Sequence, residues 1–160
     1  LLVIDASSII FAWDNYPIDQ FPGLWEWLSS DIDKQNLSMS EVALEEVGAV
    51  CPECADWLVN QNIKNIHINE RIIKTSKDIA NLFGLKDHKF NGSGVDENDI
   101  FIIATAKVVG KGLISNEAEQ PSPPKEIRNS KIPLVCKHPL VSVKCQNFLE
   151  HLKSSGAVFR

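Results

Sequence analysis

Short apolar runs that stop at polar residues alternate with helix-length stretches along this chain, and that alternation restricts its fold more than any other feature. Leu1-Leu2-Val3-Ile4 is rich in branched residues and stops at Asp5, the pattern of a buried parallel strand meeting its connecting loop. Ser7 and Ser8 are placed to cap a helix beginning near Ile9, and a second helix opens with Leu24, Trp25, Trp27 and Leu28 after Pro22-Gly23. Leu37-Ser38-Met39-Ser40 is short and partly apolar; Ser40 then offers a cap for a helix from Glu41 through Val50, and Pro52 opens another through Trp57 and Leu58. The spacing of Ile68, Ile72, Ile73, Ile79, Leu82 and Phe83 predicts a helix from 66 to about 85, ending near Gly84. Asn91-Gly92-Ser93-Gly94 reads as a loop, 99–109 as a buried helix and Leu113-Ile114 as a strand. Further strands are expected at 132–135 and 141–143, before a closing helix over 148–152; the proline-bearing, charged segment 119–130 reads as surface loop. Such alternation points to an α/β fold around a parallel sheet, with ligands outside the carboxyl ends of its strands.

A chain of 160 residues is long enough to bury roughly two-thirds of its unfolded surface. With 44% hydrophobic and 23% charged residues it reads as one globular domain. The formal charge of −5 argues against gripping nucleic acid by a uniform basic surface, yet leaves room for an acidic site that reaches phosphates through metal ions. Cys51, Cys54, Cys136 and Cys145 are too sparse for a disulfide framework and suit reduced thiols. No apolar run approaches the roughly 18–20 residues of a membrane span, and the first residues lack a basic segment followed by a long apolar one. A soluble, unexported, cytoplasmic protein is expected.

Acidic residues stand at the ends of the predicted elements: Asp5, the Glu45/Glu46 pair, the Asp96/Asp99 pair and Glu117. Each has an ordinary structural explanation. Asp5 before two serines forms a turn or an N-cap, and Glu45 and Glu46 lie on an amphipathic helix where carboxylates are usually solvated. Asp96-Glu97-Asn98-Asp99 has the form of a capping box, and Glu117 follows a strand as a polar turn does. Together they suggest more. Phosphodiester hydrolysis needs an activated water and neutralised phosphoryl oxygens, and hard divalent ions held by carboxylates supply both; carboxylates without His partners suit Mg²⁺ or Mn²⁺. Asp99 opens so apolar a helix that its first turn must lie near the sheet, where clustered carboxylates call for a cation.

Val-Ile-Asp-Ala-Ser at 3–7, Leu-Glu-Glu-Val at 44–47, Asp-Ile-Phe-Ile-Ile-Ala-Thr-Ala at 99–106 and Leu-Ile-Ser-Asn-Glu at 113–117 resemble, in order, the four acidic motifs of PIN domains. The stretches 21–28, 131–136 and 147–152 resemble the DUF4411 branch of PIN-like bacterial proteins, so the resemblance runs along nearly the whole chain. It implies a PIN-like three-layer α/β/α fold with a central, mainly parallel sheet, and a single nuclease domain over 1–160. It also implies a Mg²⁺- or Mn²⁺-dependent endoribonuclease acting on RNA, of the kind found as toxins of type II toxin-antitoxin pairs with an antitoxin protein as partner. Asp5, Glu46, Asp99 and Glu117 are then the metal ligands. Glu46 is preferred to Glu45 because the family acid usually precedes an apolar residue, here Val47. Asp96 is a further catalytic candidate, as a ligand or as the holder of a metal-bound water, and Ser7 and Asn116 fall where the family places small polar groups. Ser115-Asn116-Glu117 departs from the common Thr-Asn-Asp form in its longer acid. Homodimerisation stays open.

The implied mechanism is in-line attack on an RNA phosphodiester by a water that one or two metal ions orient and deprotonate. Lys107, Lys111, Lys125 and Arg128 either flank the phosphate path or face solvent. Cys51-Pro-Glu-Cys54 supplies half of a zinc site, but no second close Cys/His pair follows it, and His67, His88, His138 and His151 are dispersed with no Ser/His/Asp set among them. The rival reading is a catalytically degenerate PIN-like module that binds RNA or protein. An antitoxin would need an apolar groove, for which Trp13, Trp25, Trp27 and Trp57 are candidates, although such residues are more often core.

Overall fold

Five short strands form one parallel sheet: β1 (Leu2–Ile4), β2 (Leu37–Ser40), β3 (Lys64–Ile66), β4 (Leu113–Ile114) and β5 (Cys145–Gln146), in the order β3-β2-β1-β4-β5. The computed structural model describes residues 1–85, 90 and 92–160; His88 and Asn91 lie outside the described residues. β1 is central, with Leu2 opposite Leu37 on one side and Ile4 opposite Ile114 on the other. Val3, Ile4, Leu37, Met39, Leu113 and Ile114 are all buried, as a parallel sheet covered on both faces requires.

Eight α-helices are described: α1 (Ala6–Asn15), α2 (Pro22–Asp33), α3 (Glu41–Val50), α4 (Pro52–Asn60), α5 (Glu70–Leu82), α6 (Glu97–Val109), α7 (Ile132–Lys137) and α8 (Phe148–Ser155). α1 packs with α3, α4 and α8, and α2 against β2, while α6 packs on β1 and β2 together with α5 and α7. Right-handed crossovers explain the split, since the chain runs outward from β1 to β3 and then returns past β1 to reach β4. The result is the expected three-layer α/β/α arrangement with a parallel sheet. Among the described residues no helix is long and apolar enough to cross a membrane.

α6 shows how sequence, helix and core connect. It starts at a reciprocal capping box between Asp96 and Asp99 and stops where Gly110 takes the left-handed conformation (φ 71°). Between these signals Ile100, Ile102, Ile103, Ala104, Thr105 and Ala106 are buried, so the helix is apolar nearly all round. Burying Ile102 and Ile103 contributes about 2–3 kcal/mol each, which holds the acidic first turn of α6 against the sheet.

Several sequence expectations are corrected. Residues 132–135 are helix, not strand: Pro133 sits in the first turn of α7, where its missing N–H and fixed φ suit a helix start. Residues 141–143 are not a strand either, because the amides of Val141 and Ser142 both donate to the His138 carbonyl and Ser142 has a φ of 50°; the strand follows at Cys145–Gln146. The helix expected over 66–85 begins only at Glu70, capped by the Asn69 side chain, and Lys64–Ile66 pairs with β2. α1 begins at Ala6 rather than near Ile9, with Asp5 at the N-cap position. Ser40 precedes α3 as expected but makes no side-chain cap, and its buried hydroxyl has no hydrogen-bond partner among the described residues.

Candidate active site

The sheet order places the ends of β1 and β4 side by side where the chain direction of travel across the sheet reverses, the position at which open α/β sheets hold ligands. Asp5 follows β1 directly, and its amide donates to the Ile114 carbonyl at 2.8 Å, which ties it to the end of β4. The side chain is only 2% exposed. Ser7 and Ser115 both donate to its Oδ2, at 2.6 and 3.0 Å. Burial pushes the Asp5 pKa up, against the opposing pull of those hydroxyls and of the Ala6 and Ser7 amides.

Asn116 joins three elements at this corner. Its Oδ1 accepts from the Ser8 hydroxyl at 2.7 Å and from the Phe148 amide at 2.9 Å, and its own amide donates to Ser7 Oγ at 2.9 Å. Ser7 and Ser8 thus anchor the β1–α1 turn to the end of β4 and the start of α8 instead of capping a helix. Ser115 Oγ also accepts from the Glu117 amide at 3.3 Å, which sets the direction of the chain as it leaves β4.

The other acids arrive from α3 and α6. Glu46 is half-buried while Glu45 is exposed, so the helix turns Glu46 inwards. Burial raises the Glu46 pKa; a hydrogen bond with Asn98 opposes this, and the charges of Asp5, Asp96 and Glu117 add to it. Asp99 is pushed up to about 8, first by burial and then by the charges of Asp96, Asp5 and Glu117, against the hydrogen bond from the Asp96 backbone. Asp96 Oδ1 accepts from the Asp99 amide at 2.8 Å and Asp99 Oδ2 from the Asp96 amide at 3.0 Å, so the capping box forms at the very turn that faces the other carboxylates. Glu117 stands exposed at the rim, its pKa raised by partial desolvation and by Asp5 and Asp96, and lowered by Lys131. Asp5, Glu46, Asp96, Asp99 and Glu117 therefore share one electrostatic neighbourhood although they come from four separated stretches.

The donor set is all oxygen and carries clustered, partly desolvated negative charge, which fits a hard divalent cation. Among the described residues no three His, Cys, Asp or Glu side chains are already drawn in tightly enough to enclose one ion. Asp96, Asp99 and Glu117 instead line an open, polar cleft of about 210 Å³ together with Gly94 and Lys131 among others, while Asp5 and Glu46 act on these acids electrostatically without lining it. Short side-chain rotations, above all of the longer Glu46 and Glu117, are what closure around a cation requires.

None of the basic residues named from sequence lines this cleft. Lys107 is in the last turn of α6, roughly 12 Å along the helix from Asp99, its Nζ donating to the Val141 carbonyl at 2.8 Å, and Lys111 follows that helix end, farther still. Arg128 pairs with Glu126 at 2.7 Å, and Lys125 is exposed. The cation that does line the cleft is Lys131, which opens the recognised 131–136 stretch but was not singled out as a site residue; nor were Ser115, inside the 113–117 motif, and Asn98, just before the 99–106 one. Trp13, Trp25 and Trp57 pack edge to face, with Trp25 buried, as core rather than as a groove. An apolar cleft of about 670 Å³ opens instead along α5 and α6, lined by Ile73, Leu85, Phe90, Ile100 and Phe101. The cysteines are free thiols; burial raises Cys54 to about 12, and Cys136 and Cys145 contact each other at the α7–β5 junction.

Residues 2–159 match the sequence profile of a family described as Domain of unknown function (DUF4411). Among solved structures, DNA-bound VapBC from Salmonella typhimurium is similar at 14% identity and a TM-score of 0.56, covering 92% of this chain and 97% of that chain. VapBC-1 from nontypeable Haemophilus influenzae is similar at 17% identity and a TM-score of 0.54, covering 92% and 98%. At these identities the likeness shows the fold. No curated protein matches.

Proposed function

The chain belongs to the DUF4411 family, and on that footing we propose that it is a PIN-like, divalent-metal-dependent endoribonuclease, the toxin of a type II toxin-antitoxin pair. The observation that carries the nuclease reading is the meeting of Asp5, Glu46, Asp99 and Glu117 at the topological switch point of the sheet. The likeness to VapBC structures supports the toxin role and an antitoxin partner. The whole of 1–160 acts as one nuclease domain in this reading, on RNA and in the cytoplasm.

Mg²⁺ or Mn²⁺ held by these carboxylates would supply an activated water and neutralise phosphoryl charge. Asp5 is the fixed point of the set, since Ser7 and Ser115 lock its rotamer and its burial excludes bulk water from one side. Asp99 and Glu46 add carboxylates from α6 and α3; Asn98 orients the Glu46 carboxylate, and the capping box orients Asp99. Glu117, longer and at the rim, is the member free to follow the substrate as it enters. Asp96 adds negative charge to the cleft and keeps the first turn of α6 in place.

The test is incubation of purified protein with mixed-sequence RNA in Mn²⁺, in Mg²⁺ and in chelator, beside Asp5→Asn and Asp99→Asn proteins whose fold is checked by circular dichroism. Cleavage that requires metal and disappears in both variants supports the nuclease. A folded wild type that binds RNA or protein but neither cuts nor takes up the metals leaves the degenerate binding module in its place.

A further inference from the structure

Lys131 occupies a place that the acid set leaves unexplained. It lines the polar cleft together with Gly94, Asp96, Asp99 and Glu117. Among the described residues its ammonium makes no ion pair with a carboxylate, whereas Arg128 is taken up by Glu126 and Lys107 by a backbone carbonyl. Its backbone, by contrast, is pinned. The Lys131 amide donates to Gln120 Oε1 at 2.7 Å, and the same Gln120 amide group donates to the Asn129 carbonyl at 3.1 Å. From the other side, the Val95 amide donates to the Ser130 carbonyl at 2.9 Å. Gly94 permits that approach, because a Cβ there would lie 2.3 Å from the Arg128 carbonyl oxygen. The segment carrying Lys131 is thus seated against the loop that leads into Asp96 and Asp99, with the long side chain left free to reach.

An RNA backbone entering this cleft meets carboxylates on several sides, and even two divalent ions leave their combined negative charge incompletely offset. A free ammonium at the rim is the element that makes entry of a phosphate favourable, and lysine grips phosphate as a compact point charge. We infer that Lys131 is the phosphate-gripping residue of this cleft, its ammonium taking a non-bridging oxygen of the RNA backbone beside Glu117 and the Asp96–Asp99 turn. This inference rests on the nuclease reading and adds the group that receives the substrate's charge.

The experiment measures RNA affinity with Ca²⁺ in place of Mn²⁺, by fluorescence anisotropy of a labelled single-stranded RNA, for wild type, Lys131→Gln, Lys131→Arg and Lys111→Gln. Lys131→Gln should bind about tenfold or more weakly, Lys131→Arg should recover most of the loss, and Lys111→Gln, removing the same charge at the far end of α6, should stay within about twofold. The slope of log affinity against log salt should fall by about 0.7 in Lys131→Gln, one phosphate contact on a single strand. Mn²⁺ affinity of Lys131→Gln should be equal to or tighter than wild type, since a nearby positive charge has been removed. Wild-type affinity and slope in Lys131→Gln, or a loss of Mn²⁺ binding in it, overturns the inference while leaving metal-dependent cleavage by the wild type intact. A wild type that cuts no RNA removes the nuclease reading and this inference together.

Discussion

Asp5 is almost wholly buried beside the Ser7 and Ser115 hydroxyls, and a carboxylate so placed is poorly solvated in the metal-free protein. Asp5→Asn keeps the shape and removes the charge. It should abolish metal-dependent cleavage yet raise metal-free stability by on the order of 1 kcal/mol, about 2–4 °C in Tm for a chain of this length, read by thermal melting in chelator. A melting point that drops instead would mean that the ionised Asp5 is well accommodated without metal. Asp99 gives the matching pH prediction. Its folded pKa is raised, to about 8, so the folded chain binds more protons than the unfolded one between the ordinary carboxylate range and that value. Its favourable contribution is complete below the unfolded pKa and is lost as pH rises through the folded one; Asp5, Glu46 and Glu117 shift in the same direction. Metal-free Tm should therefore fall between pH 6.5 and 8.5. His151, whose pKa burial lowers, contributes stability that is lost below about pH 6.5 and does not blur that comparison. Asp99→Asn should flatten the slope.

At the scale of the elements, the loop from Gly94 to Asp96 and the first turn of α6 are one working part, because they set Asp96 and Asp99 against Lys131 and Glu117. Gly94→Ala would drive a methyl into the Arg128 carbonyl and the Asn129 backbone. It should cost about 1–3 kcal/mol in urea unfolding, as overpacking does, and reduce cleavage more than the remaining folded fraction explains. Wild-type urea stability in Gly94→Ala would show that the 128–129 segment gives way freely. What the sequence made legible at this scale follows from signal length. α3 and α6 had cap-type residues, apolar spacing and stops in the sequence, and their ends agree with the reading to within a couple of residues, although only α6 makes the cap bonds. β3 has Lys64 and Asn65 with one branched apolar residue and β5 is two residues long, so neither offers a period to detect. α7 was mistaken because Ile132, Leu134 and Val135 suit a strand, while Pro133 carried the contrary sign. Asp5, Asp99 and Glu117 were found because they stand at the ends of elements, and Glu46, in the middle of α3, through the motif around it; Lys131, although it opens the recognised 131–136 stretch, acquires meaning as a site residue only when the 92–96 loop is folded onto it.

Across the whole molecule, the strand order makes the site a property of the completed fold. Asp5 and Ser115 are 110 positions apart and hydrogen-bonded, and neither β1–β4 pairing nor the β3-β2-β1-β4-β5 order could be read from local pattern. Unfolding must scatter the carboxylates, so a cation that they hold binds the folded state alone and stabilises it by mass action. At a metal concentration about a hundredfold above the dissociation constant that linkage is worth about 2.7 kcal/mol, or roughly 5–10 °C in Tm. Mn²⁺ and Mg²⁺ should thus raise the wild-type melting point in a saturable way, more at pH 8.5, above the raised Asp99 pKa, than at pH 6.5, because protons compete less for the site there. Asp5→Asn and Asp99→Asn should each lose most of that response, although their metal-free melting points stand as high as the wild type's or higher. That opposition between better apo stability and lost metal response separates a cation site from a merely structural cluster, in which removing an acid would alter stability equally with and without metal. Equal responses in wild type and variants would sink the metal-holding role of the cleft, whatever the fate of the fold.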